Sequence, residues 1–173
     1  MAYHGEMASS DRSRVQDAFM SDECRVVVAT VAFGMGIDRT DVRYVLHARM
    51  PKSIEHFSQE SGRAGRDGDP AECILLYSGE DFALWKFIVE KSLSEGSAEL
   101  EPSLARLSET YRFSSGSQCR HRFLARYFGQ DLDPGSCGAC DVCPEELPEM
   151  ANGHEVALSV LRCVSDLGER FGS

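Results

Sequence analysis

The chain has 173 residues, and its 28 acidic and 18 basic side chains give a formal net charge of −10. Such a charge argues against a protein that coats nucleic acid or an anionic membrane by charge alone. The composition, 42% hydrophobic and 27% charged, is typical of a globular protein and unlike a disordered one, and the length allows one or two domains.

The sequence contains neither a membrane anchor nor a secretory signal that we can recognise. Its longest mostly apolar run, Val26–Phe33, is about eight residues, whereas a membrane helix needs about 20. The first residues lack a basic region followed by an apolar one. We therefore expect an intracellular protein without membrane association, in the cytoplasm or nucleoid of a bacterium or the nucleus of a eukaryote. The seven cysteines then need a purpose other than disulfides.

Up to residue 92, the sequence predicts a mixture of helices and strands. In order they are a helix after Ser9, strands over Arg25–Thr30 and Arg43–His47, a helix from Ser53 to about Arg63, a strand over Cys73–Tyr77 and a helix ending near Lys91. The Arg25–Thr30 run is apolar on both faces, which is typical of a strand buried in a parallel sheet. This order predicts an α/β layer with a parallel sheet.

After a linker over Ser94–Ser97, the pattern becomes helical. Helices are predicted over Leu100–Phe113 and Gln118–Phe128, and another amphipathic helix begins near Val156. Residues 103–130 carry five arginines and one acid, whereas the flanking stretches are acidic. The chain therefore carries one basic island, which could meet an anionic partner locally despite the negative total.

Four cysteines show the spacing of a metal site, C-x₁₇-C-x₂-C-x₂-C. They are Cys119, Cys137, Cys140 and Cys143. Four thiolates form a closed tetrahedral site, which is the form of structural zinc. The alternative is an iron–sulfur cluster, because C-x₂-C-x₂-C is part of a ferredoxin pattern. The other three cysteines, Cys24, Cys73 and Cys163, lie in apolar surroundings and are predicted to be buried core thiols.

The segment from Gln59 to Gly68 is rich in arginine and glycine. Arg63 and Arg66 stand three residues apart and would share a face on a helical turn, and the glycines between and before them allow another surface to approach closely. Guanidinium groups bind phosphate oxygens in a fixed fork, so the segment suits a polyphosphate. The alternative is a surface pair bridged to Glu60 and Asp67.

Several segments together resemble the RecQ family of superfamily-two DNA helicases. Val28–Asp38 resembles its motif V and Gln59–Gly68 its motif VI. Asp41–His47 and Pro51–Glu55 are also similar to that family. Tyr3–Met7 resembles its Tyr-His-Ala-Gly-Leu segment but departs from it at three of five positions. The resemblance extends over most of the chain.

The resemblance implies three parts. Residues 1–92 would be most of a second RecA-like helicase lobe with a parallel sheet, residues 93–150 a small α-helical subdomain with a four-cysteine zinc site, and residues 151–173 the start of a winged helix.

The resemblance also implies roles for individual residues. Arg66 would be the arginine finger on the ATP γ-phosphate with Arg63 beside it, and Gln59 would help to couple the nucleotide to DNA. Gly36 and Asp38 would approach the nucleotide ribose. Thr30 would contact the DNA backbone. From the basic island we add a hypothesis, that Arg120 and Arg122 contact DNA phosphates; the alternative is that these arginines pair with neighbouring acids.

The sequence lacks the phosphate loop that such a motor needs. Neither a Gly-x-x-x-x-Gly-Lys-Ser/Thr loop nor an Asp-Glu-x-His box occurs in it. We therefore expect a fragment of a 3′–5′ DNA helicase that is inactive alone, binds DNA weakly, and needs a separate first lobe as well as ATP and Mg²⁺ for activity. The alternative is a non-enzymatic, zinc-stabilised module that binds nucleic acid or acts as a scaffold.

Overall fold

The computed structural model describes residues 1–33, 37–93, 96–132, 137–143 and 152–166. The chain forms two compact units, Met1–Gly116 and Ser117–Ser173. The first contains, in order, β1 (Ala2–Tyr3), α1 (Ser9–Met20), β2 (Val28–Ala29), β3 (Tyr44–His47), α2 (Ile54–Ser61), β4 (Glu72–Leu75), α3 (Gly79–Ser92) and α4 (Leu100–Ser115). The second contains α5 (Arg120–Tyr127) and α6 (Gly153–Asp166).

The strands form two small parallel sheets. Strand β1 pairs with β2, and β3 pairs with β4 in a register that sets Tyr44 opposite Glu72 and His47 opposite Leu75. Parallel strands alternating with helices confirm the predicted α/β class in its broad form. The winged helix and the three domain boundaries stay predictions. Helix α4 packs against α3 inside the first unit.

The prediction of a buried strand over Arg25–Thr30 is wrong. Only Val28–Ala29 forms a strand, and the residues Val26 and Val28 are 69% and 72% exposed. The apolar pattern shows that these side chains could be buried, but burial needs a covering layer. Among the described residues β2 pairs with β1 alone, and nothing covers its outer side.

The core of the first unit lies where α2 meets α4. Ile54 and Leu107 are almost fully buried, and the rings of Phe57 and Phe113 lie 5.0 Å apart. Burying such side chains contributes about 1.5–3 kcal/mol each. The N-terminus of α2 is capped by Ser53, whose hydroxyl accepts the backbone N–H of His56. This packing fixes the direction of α2, and motif VI begins in its last turn.

Helix α3 attaches to the segment that precedes α2. Its first turn has a capping box between Ser78 and Asp81. The Asp81 carboxylate also accepts the backbone N–H of Met50 at 3.3 Å, and the indole N–H of Trp85 donates to the Met50 carbonyl at 2.8 Å. Both polar groups of the buried Met50 backbone are thus satisfied.

The prediction for the three remaining cysteines holds for one of them. Cys24 is buried, but Cys73 and Cys163 are exposed, because β4 and α6 leave those positions uncovered. The Cys73 thiol still lies 3.6 Å from the Ser61 carbonyl, and partial burial raises its pKa. Within the described parts of the chain, no helix is long and apolar enough to span a membrane.

Candidate functional site

The arginines of motif VI lie in turns and not on a helix. Helix α2 ends at Ser61, and residues 62–67 continue as turns, so the shared helical face predicted for Arg63 and Arg66 is not formed. Gly65 has a φ of +64°, and a Cβ there would lie 3.0 Å from the Asp69 carbonyl oxygen. The turn therefore requires glycine at this position.

Arg66 forms an ion pair with Asp38. Its Nη1 lies 3.0 Å from an Asp38 carboxylate oxygen, and its Nε donates to the Gly62 carbonyl at 3.3 Å. The Arg66 side chain is 37% exposed and that of Asp38 is 87% exposed. The fold thus joins two residues 28 positions apart, one from each of the two motifs that the sequence analysis connected with the nucleotide.

The pairing suggested as an alternative for these arginines does not occur. Glu60 bonds His47 at 2.7 Å, and Asp67 bonds Arg43. The buried Nε of Arg63 has no hydrogen-bond partner among the described residues. An unpaired buried donor is costly, and none of the described residues offsets this cost for Arg63.

The other residues predicted for the nucleotide and DNA are exposed or lie outside the description. Gln59 and Thr30 are exposed, and the backbone N–H of Thr30 donates to the Tyr3 carbonyl at 3.1 Å. Gly36 lies outside the described residues. Gln59, Thr30, Asp38 and Arg66 are therefore all accessible to a ligand.

The four predicted metal ligands come together in the second unit. The Sγ atoms of Cys119, Cys137, Cys140 and Cys143 all lie within 4.8 Å of one another. Those of Cys119 and Cys140 are 4.0 Å apart. A tetrahedral zinc ion with Zn–S bonds of about 2.3 Å would set its sulfurs about 3.8 Å apart. The donor set and its spacing therefore fit zinc with small adjustments.

The local backbone favours the thiolate form of one ligand. The N–H of Cys137 donates to the Cys143 Sγ at 3.4 Å. This hydrogen bond, and after it those of the neighbouring thiols, lower the pKa of the Cys143 thiol to about 6. Gly138 has a φ of +65° and lets the chain turn between Cys137 and Cys140. The thiolate is the form that binds metal.

An ion pair connects the two chain segments that carry the metal ligands. Arg120 follows Cys119, Asp141 follows Cys140, and two parallel hydrogen bonds of 2.9 Å join the guanidinium to the carboxylate. Arg120 lowers the pKa of Asp141, which keeps the pair ionised. Pairing with an acid was the alternative to a DNA contact for Arg120. Sequence reasoning missed Asp141, although its place beside a ligand mirrors that of Arg120.

The arginines further along α5 have different surroundings. Arg122 and Arg126 line a shallow depression beside Cys119, and Arg126 lies 3.7 Å from Asp131, both being exposed. An exposed pair at that distance contributes little. A basic surface therefore lies next to the metal site.

Comparison with known proteins finds a family match for each of two parts of the chain. The family model of the helicase conserved C-terminal domain matches residues 1–68, and the RecQ zinc-binding model matches residues 79–144. The ATP-dependent DNA helicase RecQ of Bacillus subtilis is 40% identical over 173 residues, covering 98% of this chain and 28% of that protein. The Haemophilus influenzae protein of the same name is 39% identical, covering 99% and 27%.

A eukaryotic relative matches a shorter part. The RecQ-like DNA helicase BLM of Xenopus laevis is 40% identical over 151 residues, covering 83% of this chain and 11% of that protein. The chain thus spans less than a third of the length of these curated relatives. The zinc-binding match and the thiol geometry agree, and the four cysteines form a structural zinc site.

Proposed function

Because the chain belongs to the RecQ family of ATP-dependent DNA helicases, we propose that it forms the C-terminal portion of such a motor, moving 3′–5′ along DNA. The observation that carries this proposal is the ion pair of Arg66 with Asp38 at an exposed surface. It supports a nucleotide site in which Arg66 is the arginine finger, because an exposed pair can exchange its carboxylate for a phosphate at little cost.

In this proposal, nucleotide binding rearranges the pair. The Arg66 guanidinium leaves Asp38 for the γ-phosphate, where it stabilises the charge that spreads over the equatorial oxygens during transfer. Asp38, together with Gly36, then accepts the ribose hydroxyls. Arg63 lies beside Arg66 and adds a second guanidinium charge near the phosphates. Gln59 and Thr30 connect this site to the DNA backbone.

The chain alone has no phosphate cradle for Arg66. The glycine-rich loop that would hold the phosphates and the acidic box for Mg²⁺ do not occur in these 173 residues. We expect ATP hydrolysis by the isolated chain at no more than background, because an arginine finger acts only on a phosphate held in line. A first helicase lobe is the partner that would supply the cradle.

The zinc site would hold α5 against DNA. Zinc fixes Cys119 at the start of this helix, and Arg120 and Arg122 follow directly. We propose that both contact DNA phosphates, with a smaller contribution from Arg120 because Asp141 already neutralises it. When one phosphate contact is removed, the slope of the logarithm of the binding constant against the logarithm of salt concentration becomes shallower by about one. Arg122→Ala should show this change, whereas Arg120→Ala should show less.

A chimaera tests the arginine finger. This chain replaces its aligned segment in the Bacillus subtilis relative, and DNA-stimulated ATPase is measured with and without Arg66→Ala. We expect kcat to fall by roughly 10³-fold or more, while Arg106→Ala, which removes an exposed pair with Glu99, leaves kcat unchanged. Equal kcat for Arg66→Ala and the parent would refute the assignment. Zinc and DNA binding without any ATPase would favour the non-enzymatic module instead.

A further inference from the structure

Arg43 has no role in the proposed function, and it contacts three parts of the chain. Its Nε donates to the Asp41 carbonyl at 3.1 Å, and its Nη1 donates to the Pro70 carbonyl at 3.2 Å. Its Nη2 bonds the Asp67 carboxylate. The guanidinium therefore connects the segment before β3 to both ends of the stretch from Asp67 to Pro70.

The backbone on both sides of Arg66 is bound to the same segment. The N–H of Gly65 donates to the Val42 carbonyl at 2.9 Å, and that of Asp67 donates to the Thr40 carbonyl at 3.3 Å. These two bonds set the direction from which the Arg66 side chain leaves the backbone. The longer of the two involves Asp67, whose side chain Arg43 also holds.

We propose that Arg43 is a positioning residue for Arg66, fixing the turn that presents this arginine to the nucleotide. The inference rests on the proposed function of Arg66. A planar guanidinium reaches three acceptors at once, whereas lysine in its place would satisfy one and leave the others to water. The turn would then depend on two backbone bonds. Transition-state contacts are lost steeply with displacement, since an error of about 1 Å can cost roughly 10²-fold in rate.

The pair between Arg43 and Asp67 persists at neutral pH. Arg43 lowers the pKa of Asp67 and Asp67 raises that of Arg43, in each case chiefly through their mutual hydrogen bond. Both groups are therefore charged across the range in which a helicase would act, and the turn stays fixed over this range.

Amide exchange in the zinc-loaded chain tests whether Arg43 holds the turn. In Arg43→Lys we expect the amides of Gly65 and Asp67 to exchange about tenfold faster, because the turn loses hydrogen bonds to a charged group and opens more often. The amide of Leu107 in α4 should be unchanged. The matched control is Arg106→Lys, which should leave the turn amides unaffected. Unchanged exchange at Gly65 and Asp67 in Arg43→Lys would overturn the proposal.

A double-mutant cycle in the chimaera tests whether the effect passes through Arg66. Arg43→Lys should lower kcat about tenfold with KM for ATP within about twofold, and should have no further effect in the Arg66→Ala background. An equal loss in both backgrounds would make Arg43 merely structural and overturn the inference. If Arg66→Ala itself leaves kcat unchanged, the proposed function fails, and the exchange experiment alone then decides whether Arg43 holds the turn.

Discussion

Removing zinc should unfold α5 and leave the first unit intact. Among the described residues of Ser117–Ser173, only Phe123 and Cys140 are buried. Burial of one phenylalanine contributes about 1.5–3 kcal/mol, whereas ordering the eight residues of α5 costs roughly 8–16 kcal/mol. Zinc binding to four thiolates contributes about 10–16 kcal/mol at neutral pH. The metal is therefore the main source of order in this part of the chain.

The assay is amide hydrogen exchange before and after chelation, with zinc measured by elemental analysis. We expect the amide of Phe123 to lose its protection when zinc is removed, and that of Leu107 in α4 to keep it. Cys137→Ser should reproduce the loss. Cys163→Ser, which changes an exposed cysteine outside the cluster, should retain one zinc per chain. Persistent protection of Phe123 in fully metal-free chain would refute the reasoning.

Three further changes should have measurable effects. Asp141→Asn weakens the pair with Arg120 beside two ligands, and should reduce zinc affinity about tenfold in a chelator competition. Gly65→Ala should lower the free energy of unfolding by about 1–3 kcal/mol in urea titrations, because φ is positive there and neighbouring atoms fill the space of a Cβ. Gly68 also has a positive φ, but the space for a Cβ is open, so Gly68→Ala should lower this free energy by only about 1 kcal/mol. Burial lowers the pKa of His56. The unfolded chain therefore binds more protons than the folded chain below about pH 6.5, and the free energy of unfolding falls there. In urea titrations, His56→Gln should reduce the fall in this free energy between pH 7.5 and 5.5.

The elements that the sequence predicted well are those determined by local chemistry. The helices lie close to where the sequence predicted them, and α2 spans Ile54–Ser61 within the predicted range. The zinc ligands follow from the spacing of four cysteines, because thiolates so arranged have few other uses. The family follows from the residues of the segments that resemble motifs V and VI and from their order along the chain.

The elements that the sequence predicted poorly depend on what lies opposite a residue. Val28 has the pattern of a core residue, yet nothing among the described residues covers it. Arg63 and Arg66 were predicted to share a helical face, but α2 ends before both. Glu60, expected as a partner of these arginines in one alternative, bonds His47 instead.

The sequence alone determined the family, the four metal-binding cysteines and the broad α/β class, because these depend on which residues are present and how they are spaced. Only the tertiary structure decided which charges meet: Arg66 with Asp38, Arg43 with Asp67 and Arg120 with Asp141. Each pair joins residues more than twenty positions apart. Such contacts arise when turns and packed elements bring distant segments together, and no local pattern in the chain records them.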